Sequence, residues 1–509
     1  MNILSSWFDG MRMTSVILDV LDIRMMLLCS AVFLLLAWVM RRSSVSNLPP
    51  GPWGWPLVGS LPSLALATGE PHEVFMRMAG KYGPVFSLNI LGQRMVVIHG
   101  YKAIREAFNN PNLNDRPELH ILKNLFNGAK GIATASGETW KEQRKLSLNI
   151  FKNFGVGQAR FEDQIATEAD HLLEEMKLIK GDAFNPVHLF GNAVSNVISS
   201  VVLGKRYEYD DKKFQRVLAS MDRSMELIGA GAAMQFLPVV NNLWFLPSIR
   251  EMTSTMKYVL DFVMEVVEEH QKDCHEGESR DLMDVYLREM ENKKTNNIHT
   301  NLSVLNLVIL VSDLFVAGTE TTANTLRWGL LFMMLHPEIQ TRVQDELDAV
   351  VGRERLPQMS DRPNLPYTEA VILELQRRGN IVPLGLPHKA AEETNLMGYT
   401  IPKGCLVIAN HWALNIDPEL FPDPDQFNPE RFLSDAGEVT KPEELIPFST
   451  GRRICLGEQL AKMELFIFFT YLLHQFTFTK PSEEPELSLG GHLGLTLAPM
   501  PFKVCATPR

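Results

Sequence analysis

Phe448-Ser449-Thr450-Gly451-Arg452-Arg453-Ile454-Cys455-Leu456-Gly457 is the stretch on which the reading of this chain turns. From Gly457 to Phe469 the sequence is rich in good helix formers and free of proline, so a helix is predicted to begin almost at the cysteine. Cys455 then stands at the positive end of a helix dipole, where backbone N–H groups draw a thiol pKa of about 8.5 down toward the thiolate. Gly451 and Gly457 suit a backbone that turns sharply and passes close to something flat, and Arg453 offers a cation two residues before the sulfur. A buried structural cysteine is the bland alternative.

The other cysteines, Cys29, Cys274, Cys405 and Cys505, are scattered, lack C-x-x-C spacing and bring the total to five, which points to neither a disulfide framework nor a local zinc site. The pattern carried by Phe448, Gly451, Arg453, Cys455 and Gly457 resembles the haem-binding signature of the cytochrome P450 superfamily. That resemblance implies a mainly α fold with small β-sheets and haem b with Cys455 as axial thiolate.

At 509 residues, without internal repeats, the chain reads as one large catalytic domain behind a short leader. Net charge is −11, which argues against nucleic acid as a partner, and 45% hydrophobic with 21% charged residues is a globular composition. Met25 to Met40 carries no charge and is flanked by Arg24 and by Arg41 and Arg42. Such a helix spans about 24 Å, and snorkelling arginines extend its reach. No small-residue cleavage site precedes the arginines, and Asp9, Asp19 and Asp22 fit no basic leader, so an uncleaved anchor over about residues 23–42 is expected. The positive-inside rule places the chain after Met40 in the cytoplasm. Leu48 to Pro56, dense in proline, is expected to be a stiff connector. The predicted organisation is therefore residues 1–46 with the anchor, 47–62 as a proline-rich hinge and 63–509 as the catalytic domain.

Leu302 to Leu335 is apolar enough to imitate a second span, but Asp313, Glu320 and Arg327 make a membrane position costly, and a long core helix is expected instead. Within it, Ala317-Gly318-Thr319-Glu320-Thr321-Thr322 interrupts the apolar run. Thr321 can turn its hydroxyl onto the Ala317 carbonyl and open a groove there. The P450 resemblance implies that Glu320 and Thr321 deliver protons for oxygen cleavage while the Cys455 thiolate donates electron density to the iron from the opposite face.

Glu374 and Arg377, three apart, share a helix face. With Arg431 they resemble the family's Glu-Arg-Arg brace. By the same resemblance Arg116, Trp140, Arg144, His388 and Arg453 meet the haem propionates, and Leu314, Ala317, Thr321, Val382, Leu386, Leu495 and Thr496 face the substrate, joined by Ile121, Leu125 and Phe126 from a loop. Nearly all of these are apolar, so a lipophilic substrate is implied. Lys141 to Arg144, Gly379 to Leu384 and Glu464 to Thr470 resemble the family-2 microsomal branch that oxidises polyunsaturated fatty acids and xenobiotics. Between about Gly204 and Asn301 no residue-level signature is recognisable.

No flavin or nicotinamide domain fits in the chain, so electrons are expected from NADPH-cytochrome P450 reductase on the endoplasmic reticulum membrane, with cytochrome b5 as a further partner. Lys141, Arg144, Lys145 and Arg452 form the expected docking patch. The alternative function is a haem-thiolate isomerase or dehydratase that rearranges lipid peroxides without a reductase.

Overall fold

The computed structural model describes residues 47–120, 125–126, 128–230, 245–272, 279–483 and 486–509, together with Met25, Leu28, Ser30 and Val32. The rest of the expected anchor, and Ile121, lie outside the described residues. The fold is mainly helical with small sheets. In chain order the helices are α1 (Leu61–Ala65), α2 (Pro71–Tyr82), α3 (Tyr101–Asn109), α4 (Gly137–Asn153), α5 (Ala159–Ile179), α6 (Val187–Val202) and α7 (Lys212–Ala230). Beyond these come α8 (Pro247–Lys272), α9 (Leu282–Thr295), α10 (Val304–Leu335), α11 (Pro337–Val350), α12 (Pro366–Gly379), α13 (His411–Asn415) and α14 (Glu458–Gln475).

Helix α10 organises the molecule. Ser303 caps it by accepting from the Asn306 N–H at 3.1 Å. It ends at Leu335 because Pro337 bars His336 from the helical region. Its first four turns are apolar apart from Asn306, Ser312 and Asp313, the pattern of a helix largely enclosed by others, and it packs against α6, α8, α12 and α14. Among the described residues it is the one helix long and apolar enough to cross a bilayer, and its burial identifies it as the core helix expected from the sequence. Gly318 permits the close approach of α6, since a Cβ there would come within 2.9 Å of Ile198.

Strands β1 (Val85–Ile90) and β2 (Gln93–Ile98) form a hairpin whose turn residues, Leu91 at φ 51° and Gly92 at φ 88°, are both left-handed, as a tight hairpin turn requires. After β3 (His388–Lys389), β4 (Thr394–Leu396) and β5 (Tyr399–Ile401) comes β6 (Leu406–Ala409), which runs parallel to β2 and completes a sheet in the order β1-β2-β6-β3. Two-stranded pairs are made by β4 with β5, by β7 (Phe476–Thr479) with β10 (Cys505–Pro508), and by β8 (Gly491–Leu493) with β9 (Leu497–Pro499).

The proline-rich segment is fastened to this body. Ser87 donates its N–H to Pro50 O and its Oγ to Pro49 O, both at 2.7 Å, and a Cβ on Gly51 would lie 1.9 Å from Ser87 O. The connector therefore lies along the edge of β1, and glycine is required where the two backbones meet.

Candidate active site

The cysteine loop is held from both ends. Cys455 N–H donates to Phe448 O at 3.0 Å, and Gly451, at φ 78°, lies so close to α3 that a Cβ would meet Phe108 O at 2.2 Å. Helix α14 starts at Glu458 with Gly457 as its N-cap, three residues after the cysteine. Cys455 keeps solvent-accessible surface although enough protein surrounds it for burial to act on its thiol. Burial raises its thiol pKa and the Glu458 carboxylate adds to the rise, while the Gly457 N–H and Arg144 pull the other way and lose. The sequence leads to a helix N-terminus that lowers this pKa, with metal ligation completing the shift; in the structure the N–H contribution is outweighed by burial.

Beside the sulfur lie guanidiniums without carboxylate partners. Arg453 donates to Asn114 O at 2.9 Å, Ile132 O at 3.3 Å and Ala135 O at 2.6 Å, with its guanidinium 4.0 Å from the centre of the Trp140 ring. Arg116 donates from Nη1 to Leu386 O and Pro387 O, both at 2.8 Å, and its Nε has no partner among the described residues. Burial and the neighbouring Arg453 lower Arg116 to about 9. Burial likewise brings Arg453 down to about 10, with Asp115 opposing and Arg144 assisting. Neither is in an ion pair among the described residues. Uncompensated buried cations and an orphaned N–H fit an anionic group such as a pair of haem propionates.

Arg144, on α4 with Trp140, turns its Nη2 inward onto Ile454 O at 2.8 Å. Of the expected docking patch, Lys141, Lys145 and Arg452 stay exposed, and Lys141 pairs with Glu138 at 2.6 Å. His388 is buried, stacks on Phe108 at 4.1 Å and gives its Nδ1 proton to Leu113 O at 2.7 Å. Burial, followed by Arg116, holds its pKa well below the usual value. A neutral ring so arranged offers only an acceptor at Nε2, which weakens the expectation that His388 meets a propionate. Phe448, at the far end of the loop, lies 5.6 Å under Lys462 Nζ.

On the other side, α10 presents Ile309, Ser312, Asp313, Val316 and Ala317 to an apolar cavity of about 550 Å³. These positions form one helical stripe. Phe126, Leu386 and Leu495 line the same cavity, as do Arg116 and Met221. Leu314 is instead buried in the main core, since a one-residue step turns a helical side chain by roughly 100°. Leu125 packs around Met252 of α8. Val382 is replaced at the wall by Pro383 and Leu384. Thr496 is buried and donates to Glu320 Oε1 at 2.9 Å.

Thr321 Oγ1 donates to Ala317 O at 2.8 Å, the bond expected from the sequence, while α10 remains helical throughout. Asp313, in sequence only an argument against a membrane span, turns out to belong to the site. Its Oδ2 accepts from the Ala133 N–H at 2.8 Å, and burial pushes its carboxyl up to about 7 against the pull of the Ala133 and Ile132 N–H groups. A Cβ on Gly131 would sit 2.1 Å from that oxygen. A lone acid on the apolar face is the signal that could have found it.

The structure also brings Glu374, Arg377 and Arg431 together. Arg377 makes a bidentate pair with Glu374 at 2.7 and 2.8 Å, and Arg431 Nε reaches Glu374 Oε1 at 3.2 Å. The pair on α12 is fully buried, and Arg377 also donates to Asn415 O, Pro424 O and Gln426 O, joining α12 to the segment that leads into the cysteine loop.

A cysteine held in a loop just before a helix, close to buried guanidiniums that call for an anion, is the chemistry of a haem-thiolate protein. The family model of cytochrome P450 matches residues 49–506, and the chain belongs to that family. It is 41% identical over 493 residues to cytochrome P450 2J3 of Rattus norvegicus, covering 96% of this chain and 97% of the relative. Cytochrome P450 2J2 of Homo sapiens is 40% identical over 489 residues, 96% of each chain. Cytochrome P450 2U1 of Homo sapiens is 36% identical over 510 residues, 95% of this chain and 93% of the relative. The protein is a family-2-type cytochrome P450 and a monooxygenase; its family implies haem with cysteine thiolate ligation.

Proposed function

We propose that this chain binds haem b through Cys455 and oxidises lipophilic molecules, with polyunsaturated fatty acids first among them and steroids and xenobiotics as further candidates. The observation that carries this reading is the apolar cavity whose wall is furnished by α10 as far as Ala317 and by the loops that hold Arg116 and Leu386. When bound, the haem supplies the iron at which dioxygen is reduced and one oxygen atom passes to substrate. Arg116 and Arg453, assisted by Trp140 and Arg144, would hold its carboxylates. Apolar walls orient the substrate by burial and exclude water, and Thr321 Oγ1, beside Glu320, holds a proton at the cavity edge.

In this reading NADPH-cytochrome P450 reductase provides electrons through the exposed Lys141, Lys145 and Arg452, and cytochrome b5 is a second donor. The N-terminal apolar stretch anchors the protein in the endoplasmic reticulum membrane with the catalytic domain in the cytoplasm. The test is a reduced carbon-monoxide difference spectrum, then NADPH consumption with reductase and mass spectrometry of products from arachidonate, linoleate and steroids. A thiolate-type spectrum with reductase-dependent products is expected. Lipid-peroxide rearrangement that needs no reductase would support the isomerase alternative.

A further inference from the structure

Two glycines hold the roof of the cavity down. Gly229, one residue before the end of α7, faces the turn between β8 and β9 so closely that a Cβ on it would lie 2.4 Å from the backbone of Gly494. A Cβ on Gly494 would in turn lie 2.8 Å from Met225 O of the same helix. Neither glycine lies in the left-handed region, so alanine can adopt either backbone and space alone excludes it. Beside them the Leu495 N–H donates to Met225 O at 3.1 Å. Helix α7 and the turn therefore touch main chain to main chain, and Met225, Gly229, Gly494 and Leu495 all line the cavity.

The two sides of this contact are held unequally. The hairpin is fixed to the core: Thr496 donates to Glu320 at 2.9 Å, Trp328 Nε1 to Leu497 O at 2.9 Å, Arg327 Nη2 to Pro499 O at 3.3 Å, and the Leu497 N–H to Ile381 O at 2.8 Å. Helix α7 is joined instead to its neighbour α8, by a 2.8 Å bond from Ser224 Oγ to Thr255 Oγ1 and by Arg223, which binds Glu251 at 2.7 Å. These two helices supply Met221, Met225, Met256 and Val259 to the cavity wall. A push at the turn is therefore taken up by α7, with α8 following, and the height of the roof changes with them.

We propose that Gly229 and Gly494 are specificity-determining positions: by letting α7 sit on the hairpin at main-chain contact they set the roof at its lowest height, which suits slender, flexible apolar chains and turns away fused rings. The inference rests on the reading of this cavity as the substrate site, and it assigns a role to α7, where no motif is recognisable. A jointed chain can fold along a space of about 550 Å³ and keep its surface against the walls, whereas a rigid ring system keeps one thickness and needs the roof to lift. A methyl group on Gly229 has to move from 2.4 Å to ordinary contact, which begins at 3.4 Å, and so opens the clasp. Such a shift carries Met225 O out of hydrogen-bonding range of the Leu495 N–H, which already stands at 3.1 Å.

The test uses the haem-loaded full chain without reductase and compares wild type with Gly494→Ala, Gly229→Ala and Gly80→Ala, the last a glycine of α2 with open space where a Cβ would go. Hydrogen exchange at the Leu495 amide reads the clasp, and equilibrium dialysis gives dissociation constants for arachidonate and progesterone. In Gly494→Ala and Gly229→Ala the Leu495 amide should exchange faster, and the ratio of the progesterone constant to the arachidonate constant should fall about tenfold, the low end of what one methylene of fit is worth in an apolar pocket. Gly80→Ala should match wild type in both. In wild type itself, whatever becomes of the variants, the Leu495 amide should exchange faster with progesterone bound than with arachidonate bound. An unmoved ratio in variants that retain haem overturns the proposal, and so do equal Leu495 exchange rates under the two ligands in wild type. If wild type binds neither molecule, the substrate reading of the cavity falls first, and the specificity role with it.

Discussion

Thr322 donates its hydroxyl to Glu464 across 3.0 Å, tying the central helix α10 to α14, the helix that begins just after the cysteine loop. Both residues are buried, and Glu464 Oε1 has no partner among the described residues. Burial pushes the Glu464 carboxyl from 4.5 to about 8, with Thr322 opposing. Between those values the folded protein keeps a proton that the unfolded chain has released, so stability falls as pH rises through this window, by at most ~1.4 kcal/mol per pH unit. Glu464→Gln keeps the shape and removes the titration. Its thermal midpoint should gain on that of wild type as pH is raised toward 8 and match it near 4.5; parallel midpoints across the range would mean that Glu464 is not held neutral.

Glu374→Ala should strip the brace of its only acid and leave Arg377 charged and buried, at a cost of ~3–5 kcal/mol. Because Arg377 also holds the carbonyls of Asn415, Pro424 and Gln426, the loss should appear as missing folded haem protein rather than slow turnover. Full haem occupancy in the purified variant would contradict this.

Thr321→Ala removes the hydroxyl that lies on Ala317 O without touching the propionate cations or the cysteine loop. Haem and substrate binding should persist, while reducing equivalents are diverted to hydrogen peroxide. Measuring peroxide and product against NADPH decides the matter: unchanged coupling removes Thr321 from the proton path.

Reduction by the reductase should slow with added salt if Lys145 and Arg452, both exposed, meet an acidic surface. Lys145→Glu should slow it further, whereas Arg144 belongs to the protein interior and contributes through Ile454 O. Stopped-flow reduction that ignores both salt and charge reversal would place the docking face elsewhere.

What can be read from the chain is what is local. The cysteine loop, the Ala317 to Thr322 interruption and the Glu374 to Arg377 spacing are each contained in a few consecutive residues, and the mainly helical fold accords with the family signature they carry. Facts that depend on a helix's rotation are less legible: Leu314 sits one step off the cavity stripe, and Asp313, one residue away, is on it. The depth at which the Cys455 thiol lies is also illegible, because sequence announces a helix N-terminus but not burial, and here burial outweighs the Gly457 N–H and Arg144.

The uncompensated Arg116 and Arg453 have a consequence for the protein's life in a cell. Under the proposed haem site they stand side by side, with only Asp115 acting on Arg453, until an anionic cofactor lies against them, so haem would act as a ligand that selects the native state by mass action. The amount of this protein that escapes proteolysis should then track the supply of haem as much as the rate of its own synthesis.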